Sequence, residues 1–254
     1  MKLKASLLSL FLTFSLIGAE PTNLRLFVLA GQSNMAGRGM VDPATNKSHP
    51  NIFMLNKEGK WVPAVHPIHY DKSVAGVGLG MSFAKELVKE NPDMKIGLIP
   101  TACGGSSIST WKPGGYHGQT KSHPYDDAIK RIRTALKSGK LEGILWHQGE
   151  SDSNPARSAK HEEELTQLIQ RFRTELKASE LPFIIGQLGQ FSQRPWNEDR
   201  MVVDFAQRKV AIRDPKVAFV KSDGLQCKSD NVHFDTPSLI EFGKRYAEAY
   251  KAVR

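Results

Sequence analysis

The 254-residue chain is 40% hydrophobic and 24% charged, the composition of an ordinary soluble globular protein with ample length for a core. Its formal charge of +9 is spread along helical stretches such as 130–133 and 171–173. There is no basic run interleaved with aromatics, so nucleic-acid binding is not expected.

Residues 1–19 read as a signal peptide: Lys2 and Lys4 form a positive n-region, Leu7 to Ile17 an apolar h-region, and Gly18-Ala19 a small-residue cleavage site. The apolar run falls short of a membrane span and no other stretch is long enough. Export to the periplasm or exterior, without stable membrane insertion after leader removal, is the expectation. The mature part, 20–254, carries no repeat, linker or low-complexity tract and is read as one domain.

An apolar strand over 24–30 ends at Gly31, and the loop 31–39 presents Gln32, Ser33 and Asn34 between glycines. Residues 40–50 form a polar connection. Strands at 51–55 and 61–65 flank a turn at 56–60, suggesting a hairpin, and 66–80 is irregular. Met81, Phe83, Ala84, Leu87 and Val88 recur at helical spacing before the Asn91-Pro92 stop. A buried strand at 96–100 leads into the Gly/Ser loop at 103–107, and 111–124 is irregular. The spacing predicts a helix over 125–138 with Gly139 as its C-cap. A strand at 143–146 precedes His147-Gln148-Gly149-Glu150-Ser151-Asp152. A long amphipathic helix over 156–179, a strand at 182–188, a polar loop at 189–197, a helix over 198–213, a strand at 217–220, a loop at 222–233 and a closing helix over 236–252 complete the chain. Strict alternation of strand and helix predicts an α/β fold with a mainly parallel sheet, helices on both faces and strand-end loops gathered at one edge.

Four of those loops carry chemistry. Acyl transfer by a serine needs a hydroxyl, an imidazole base, a carboxylate orienting that base, and donors for the oxyanion. Ser33 supplies the hydroxyl. Asp230 and His233, at i and i+3 on a turn, supply the other two, because the carboxylate can reach Nδ1 and leave Nε2 for the serine. Both also suit a helix start, since Asp235-Thr236-Pro237 follows. The Gly104-Gly105 turn, the Ser33 N–H and the Gln148 amide are candidate oxyanion donors. His147, Glu150 and Asp152 offer metal-ligating groups, but not in a recognised ligand spacing. A phosphate-binding loop is excluded at 31–39, where no Gly-Lys-Ser/Thr occurs. A saccharide-binding protein without catalysis is the first alternative to a serine esterase, and a metal-dependent hydrolase built on His147, Glu150 and Asp152 ranks below it.

The segments Gly31-Gln32-Ser33-Asn34-Met35-Ala36-Gly37, Gly104-Gly105-Ser106-Ser107-Ile108, Trp146-His147-Gln148-Gly149-Glu150-Ser151-Asp152 and Asp230-Asn231-Val232-His233-Phe234 occur in order. Together they resemble the SGNH hydrolases, in the branch of sialate O-acetylesterase-type and carbohydrate esterase family 6 enzymes. The resemblance implies a three-layer, flavodoxin-like α/β/α sandwich and cofactor-free, metal-free removal of acetyl groups from an acetylated saccharide such as acetylxylan or an O-acetylated sialic acid. It implies Ser33 as nucleophile, His233 as base, Asp230 as its acidic partner and Glu150 as a second carboxylate that orients His233 or holds its loop. Ser33, Gly105 and Gln148 would form the oxyanion hole, Gln148 standing where many relatives have asparagine. Trp111, Tyr116, His117 and Trp196 fall on loops at the same edge and are candidates for stacking on sugar rings. Cys103 abuts the glycine loop and Cys227 lies near Asp230, so a Cys103–Cys227 disulfide stapling the two loops is expected.

Overall fold

In the computed structural model, which describes residues 20–43 and 46–254, β1 (Leu24–Gly31) lies at the centre of the sheet and is almost entirely buried. Its side chains alternate between two cores, as the period of two in a strand requires. Phe27 and Leu29 enter one core, and Leu24, Leu26, Val28 and Ala30 enter the other. The remaining strands are β2 (Ile52–Leu55), β3 (Trp61–Pro63), β4 (Ile96–Pro100), β5 (Gly139–His147), β6 (Phe183–Gly186) and β7 (Val217–Val220). Among the described residues they form one seven-stranded sheet in the order β3-β2-β4-β1-β5-β6-β7. Every pairing is parallel except β2 with β3, the expected hairpin, whose turn is held by Lys60 N–H donating to Asn56 Oδ1 at 2.8 Å.

The helices are α1 (Ser33–Ala36), α2 (Gly80–Glu90), α3 (Pro124–Ala135), α4 (His161–Glu175), α5 (Glu198–Arg213) and α6 (Thr236–Val253). Helices α2 and α6 cover one face, where Phe83, Phe242 and Tyr250 meet Phe27 and Leu29. Helices α3 and α4 cover the other, where Ile129, Ile132, Leu165 and Phe172 meet Leu26 and Val28. The result is the three-layer α/β/α arrangement anticipated from alternation. The chain leaves β1 for β2, returns through β4, and then crosses to β5, β6 and β7. The strand order thus reverses beside β1, and the crevice beyond the strand C-termini at such a reversal is where open α/β sheets bind ligands.

Several boundaries move for tertiary reasons. Gly139 is not a helix cap: it is the first residue of β5, paired with Leu24, and α3 stops at Ala135. β5 runs longer than its apolar core because the ladder with β1 continues from Leu24↔Gly139 to Gly31↔His147, with an irregularity beside Leu26 and Phe27. The expected helix over 156–179 divides into a 3-10 turn, Ser158–Lys160, and α4, beyond which Lys177 adopts a left-handed φ of 52°. No helix of the described residues is long and apolar enough to cross a membrane. The signal-peptide reading of 1–19 lies outside the described residues.

Candidate active site

Gly31 ends β1 with φ 128°, and a Cβ there would sit 2.1 Å from His147 O on the adjoining strand. Only glycine permits this approach, and Gln32 N–H then donates to His147 O at 2.9 Å. The chain turns immediately into α1, placing Ser33 at its first position, 7% exposed. Met35 and Ala36 point into the core beneath and anchor the turn. Gly37, with φ 88°, closes it where a Cβ would meet Val77 O at 2.5 Å.

His233 reaches this turn from the loop after β7. Its Nε2 lies 2.9 Å from Ser33 Oγ, and its Nδ1 lies 2.8 Å from Asp230 Oδ2. Asp230 Oδ1 accepts from the backbone N–H groups of Val232 and His233, each at 2.9 Å. Partial burial tends to raise the Asp230 pKa, but the N–H of His233, its ring and the Val232 N–H together outweigh that and hold it at about 2. The carboxylate is therefore ionised at neutral pH, so Nδ1 carries the proton and Nε2 is left to accept from the Ser33 hydroxyl. Asn231, with a left-handed φ of 56°, gives the turn its curvature.

Asn34, to which no role was given from sequence, joins three segments. Its Nδ2 donates to Glu150 Oε1 at 2.6 Å and to Val232 O at 3.3 Å, and its Oδ1 accepts from Phe234 N–H at 3.1 Å. Glu150 thus grips the serine turn through Asn34, and its Oε1 also lies 4.0 Å from His147 Nδ1. Of the two readings of Glu150, holding the loop is the one its contacts express.

The glycine loop is held by residues that sequence reasoning did not single out. Asp71 Oδ2 accepts from Gly104 N–H at 2.8 Å and from Arg38 Nη2 at 3.2 Å, a nearly water-free ion pair. Arg38 Nη1 donates to Gly37 O at 2.8 Å, and its own carbonyl accepts from Lys228 Nζ at 2.7 Å. Ser151 Oγ donates to Gly105 O at 2.9 Å. With Gly104 N–H taken by Asp71, Gly105 is the member of the pair left to serve an oxyanion.

Several expectations are corrected. Gln148 does not donate into the cavity: it is fully buried and its Nε2 is bound to Ser106 O, at 3.1 Å, and to Asp152 Oδ2. Its length carries the amide past the site and into the loop core. Trp111 is a core residue, 1% exposed, stacked edge-on against Trp146 at 5.0 Å with Nε1 donating to Ser106 Oγ at 3.0 Å. Tyr116 is exposed beside His123, and Trp196 is half-buried with Nε1 tied to Gly189 O at 2.7 Å; neither lines the cavity at Ser33. Nor does His117, which is buried with Nε2 3.3 Å from Gly104 O. Cys103 and Cys227 are both free thiols: one lies beside Ser122 and the other beside Gln193 and Asn231. Of the metal-ligating trio, His147 Nε2 faces Gln187 O at 3.0 Å while Asp152 accepts from Ile108 N–H at 2.9 Å. Among the described residues no group of three or more such side chains is arranged to hold a metal.

Ser33 and His233 open onto a cavity of about 380 Å³. Loops after β1, β4, β5, β6 and β7 all contribute to it, through Gln32, Gly105, Glu150, Arg194 and Val232 among others. A buried hydroxyl paired with a partly exposed imidazole, with an ionised carboxylate behind it and a cavity of this size in front, suits attack on an ester of a small polar molecule.

Comparison with known proteins agrees with this chemistry. Residues 23–252 match the model of the family described as "Carbohydrate esterase, sialic acid-specific acetylesterase". A probable carbohydrate esterase of Arabidopsis thaliana is 31% identical over 250 residues, covering 89% of this chain and 90% of that protein. Its crystal structure superposes with a TM-score of 0.78 over 91% of this chain and 98% of its own. A probable 9-O-acetyl-N-acetylneuraminic acid deacetylase of Escherichia coli is 24% identical, covering 70% of this chain and 67% of that protein. A carbohydrate acetylesterase from Xanthomonas citri shares the fold, with a TM-score of 0.70 at 21% identity over 90% of this chain and 56% of its own. The chain belongs to the sialic acid-specific acetylesterase family of carbohydrate esterases.

Proposed function

We propose that this carbohydrate acetylesterase works through an acetyl-enzyme on Ser33, with His233 as general base and Asp230 as the carboxylate that orients it. The observation that carries the reading is the unbroken path from Asp230 Oδ2 to His233 Nδ1, at 2.8 Å, and from His233 Nε2 to Ser33 Oγ, at 2.9 Å. His233 takes the Ser33 proton as Oγ attacks the acetyl carbonyl. The negative charge on the carbonyl oxygen is received by the N–H groups of Ser33 and Gly105, the first of which has no helical partner at the start of a turn. Collapse breaks the bond to the sugar oxygen, which leaves with the proton from His233. Water then attacks the acetyl group, gives its proton to His233, and releases acetate and free Ser33. The leader-like composition of 1–19 supports an exported enzyme that meets its acetylated saccharide outside the cytoplasm.

The test is acetate release from a panel of acetylated glycans by purified Ser33→Ala and His233→Ala. Each is expected to lose about a thousandfold or more in kcat with a circular-dichroism spectrum like that of the parent. Near-parental hydrolysis by both variants would overturn the assignment.

A further inference from the structure

The peptide between Gly104 and Gly105 carries the N–H assigned above to the oxyanion. The oxygen at its other end meets a side chain that the ester chemistry does not touch. His117 Nε2 lies 3.3 Å from Gly104 O, and the residue is only 8% exposed. A carbonyl can only accept, so Nε2 carries the hydrogen and donates. Burial lowers the His117 pKa, opposed by the bond to Gly104 O and reinforced by the charge of Lys72. The ring is therefore a neutral imidazole at neutral pH. Its backbone is pinned as well: His117 N–H donates to Ser122 O at 2.9 Å, and Ser122 N–H donates back to His117 O at 3.3 Å.

A trans peptide is planar, with its C=O and N–H pointing opposite ways. Whatever grips Gly104 O therefore sets the direction of the Gly105 N–H. The rest of the turn is fixed around it. Cys103 N–H donates to Gly31 O at 2.9 Å, which fastens the turn to the end of β1, and Cys103 O accepts from Ser106 N–H at 3.1 Å. Gly104 N–H is taken by Asp71 and Gly105 O by Ser151. Of the backbone N–H and C=O groups of Cys103, Gly104 and Gly105, only the Gly105 N–H is without a partner among the described residues. Gly105 is also a residue that lines the cavity at Ser33.

We propose that His117 is a positioning residue for ester hydrolysis: by donating to Gly104 O it keeps the Gly105 N–H aimed at the carbonyl oxygen that Ser33 attacks. The proposal rests on Ser33 as nucleophile and on Gly105 as oxyanion donor. His117 touches neither the substrate nor the reacting atoms and acts through the peptide. It fixes the donor before charge develops, so that no reorientation is needed in the transition state. Its hydrogen bond also polarises the peptide, which makes the N–H a stronger donor. The oxyanion exists only after attack, so the effect falls on kcat and not on KM.

Three substitutions separate donation from packing. His117→Gln keeps an N–H donor, His117→Phe keeps a ring without one, and His117→Ala keeps neither. With 4-nitrophenyl acetate, which needs no particular sugar, His117→Phe and His117→Ala are expected to lose about tenfold or more in kcat, with KM within about twofold of the parent. His117→Gln is expected to stay within about threefold of the parental kcat. Methylboronic acid gives a second readout. Its boron bonds to Ser33 Oγ while His233 takes the hydroxyl proton, and the resulting tetrahedral anion holds a boron-bound hydroxyl where the oxyanion would sit. Its inhibition constant should rise about tenfold in His117→Phe and stay near parental in His117→Gln. Parental kcat in His117→Phe, a change in KM alone, equal losses in His117→Phe and His117→Gln, or an unchanged inhibition constant in a slowed variant would overturn the proposal. Ser33→Ala tells the two readings apart. Hydrolysis persisting in Ser33→Ala would sink the nucleophile reading and this proposal with it. An inert Ser33→Ala beside a parental His117→Phe would sink this proposal alone.

Discussion

The amide of Asn34 lies 2.6 Å from Glu150 Oε1 and, through its other contacts, ties Val232 O and Phe234 N–H to the turn that carries Ser33. One buried side chain thus sets the separation of Ser33 and His233, residues that lie on loops of opposite halves of the chain.

Removing that amide has a defined cost. Asn34→Ala leaves the Phe234 N–H and a Glu150 oxygen without partners, and an unsatisfied buried group costs about 1–3 kcal/mol. A fall in stability of that order in urea titration is expected, together with slower acetate release. Asn34→Asp should be worse on both counts, because a carboxylate cannot donate to Glu150 and repels it. Parental stability and activity in Asn34→Asp would show that the clamp is dispensable.

Asp230 gives a pH signature. Its pKa lies at about 2, below its ordinary 3.8. The native state therefore favours the ionised carboxylate, a contribution fully present above pH 3.8 and lost as pH falls toward 2. Asp230→Asn should lower the melting temperature of the parent above about pH 4, and the difference should close on approaching about pH 2. At neutral pH the same variant should lose about 10³–10⁴ in kcat, because Nδ1 no longer faces a fixed anion and the ring loses its required tautomer. A pH-independent difference in melting temperature would contradict the hydrogen-bonded state of Asp230.

The free cysteines differ in reactivity. Cys103 is buried, and burial raises its thiol pKa, whereas Cys227 is only partly buried. Iodoacetamide on the native, unreduced protein should therefore modify Cys227 first and Cys103 only on unfolding. Intact mass should show no loss of two hydrogens, and the melting temperature should not respond to reductant. A shift on reduction would restore the disulfide.

Much of the fold was legible in the sequence because its signals are local. The apolar run in β1, the helical spacing of Phe83, Ala84 and Leu87, and the Asp235-Thr236-Pro237 helix start act over a few residues, and the fold honours each. The boundary at Gly139 was misread for the opposite reason: a glycine after an amphipathic run looks like a cap until Leu24, over a hundred positions earlier, claims it as a ladder partner. In the site, Ser33, Asp230 and His233 were named because acyl transfer demands those side chains and they fall in strand-end loops. Arg38 and Asp71 carried no such signal, since an ion pair has no sequence spacing of its own.

By itself the sequence determined the alternating α/β order, the edge at which the loops would gather, and which candidate side chains those loops carry. Only the tertiary structure decided where each side chain points. It buried Trp111 against Trp146, turned Gln148 inward to Asp152, left Cys103 and Cys227 beside different neighbours, and brought Asn34 to Glu150. Backbone periodicity is set by steric and hydrogen-bonding rules a few residues long. The direction of a loop side chain depends instead on which distant strand or helix fills the space beside it.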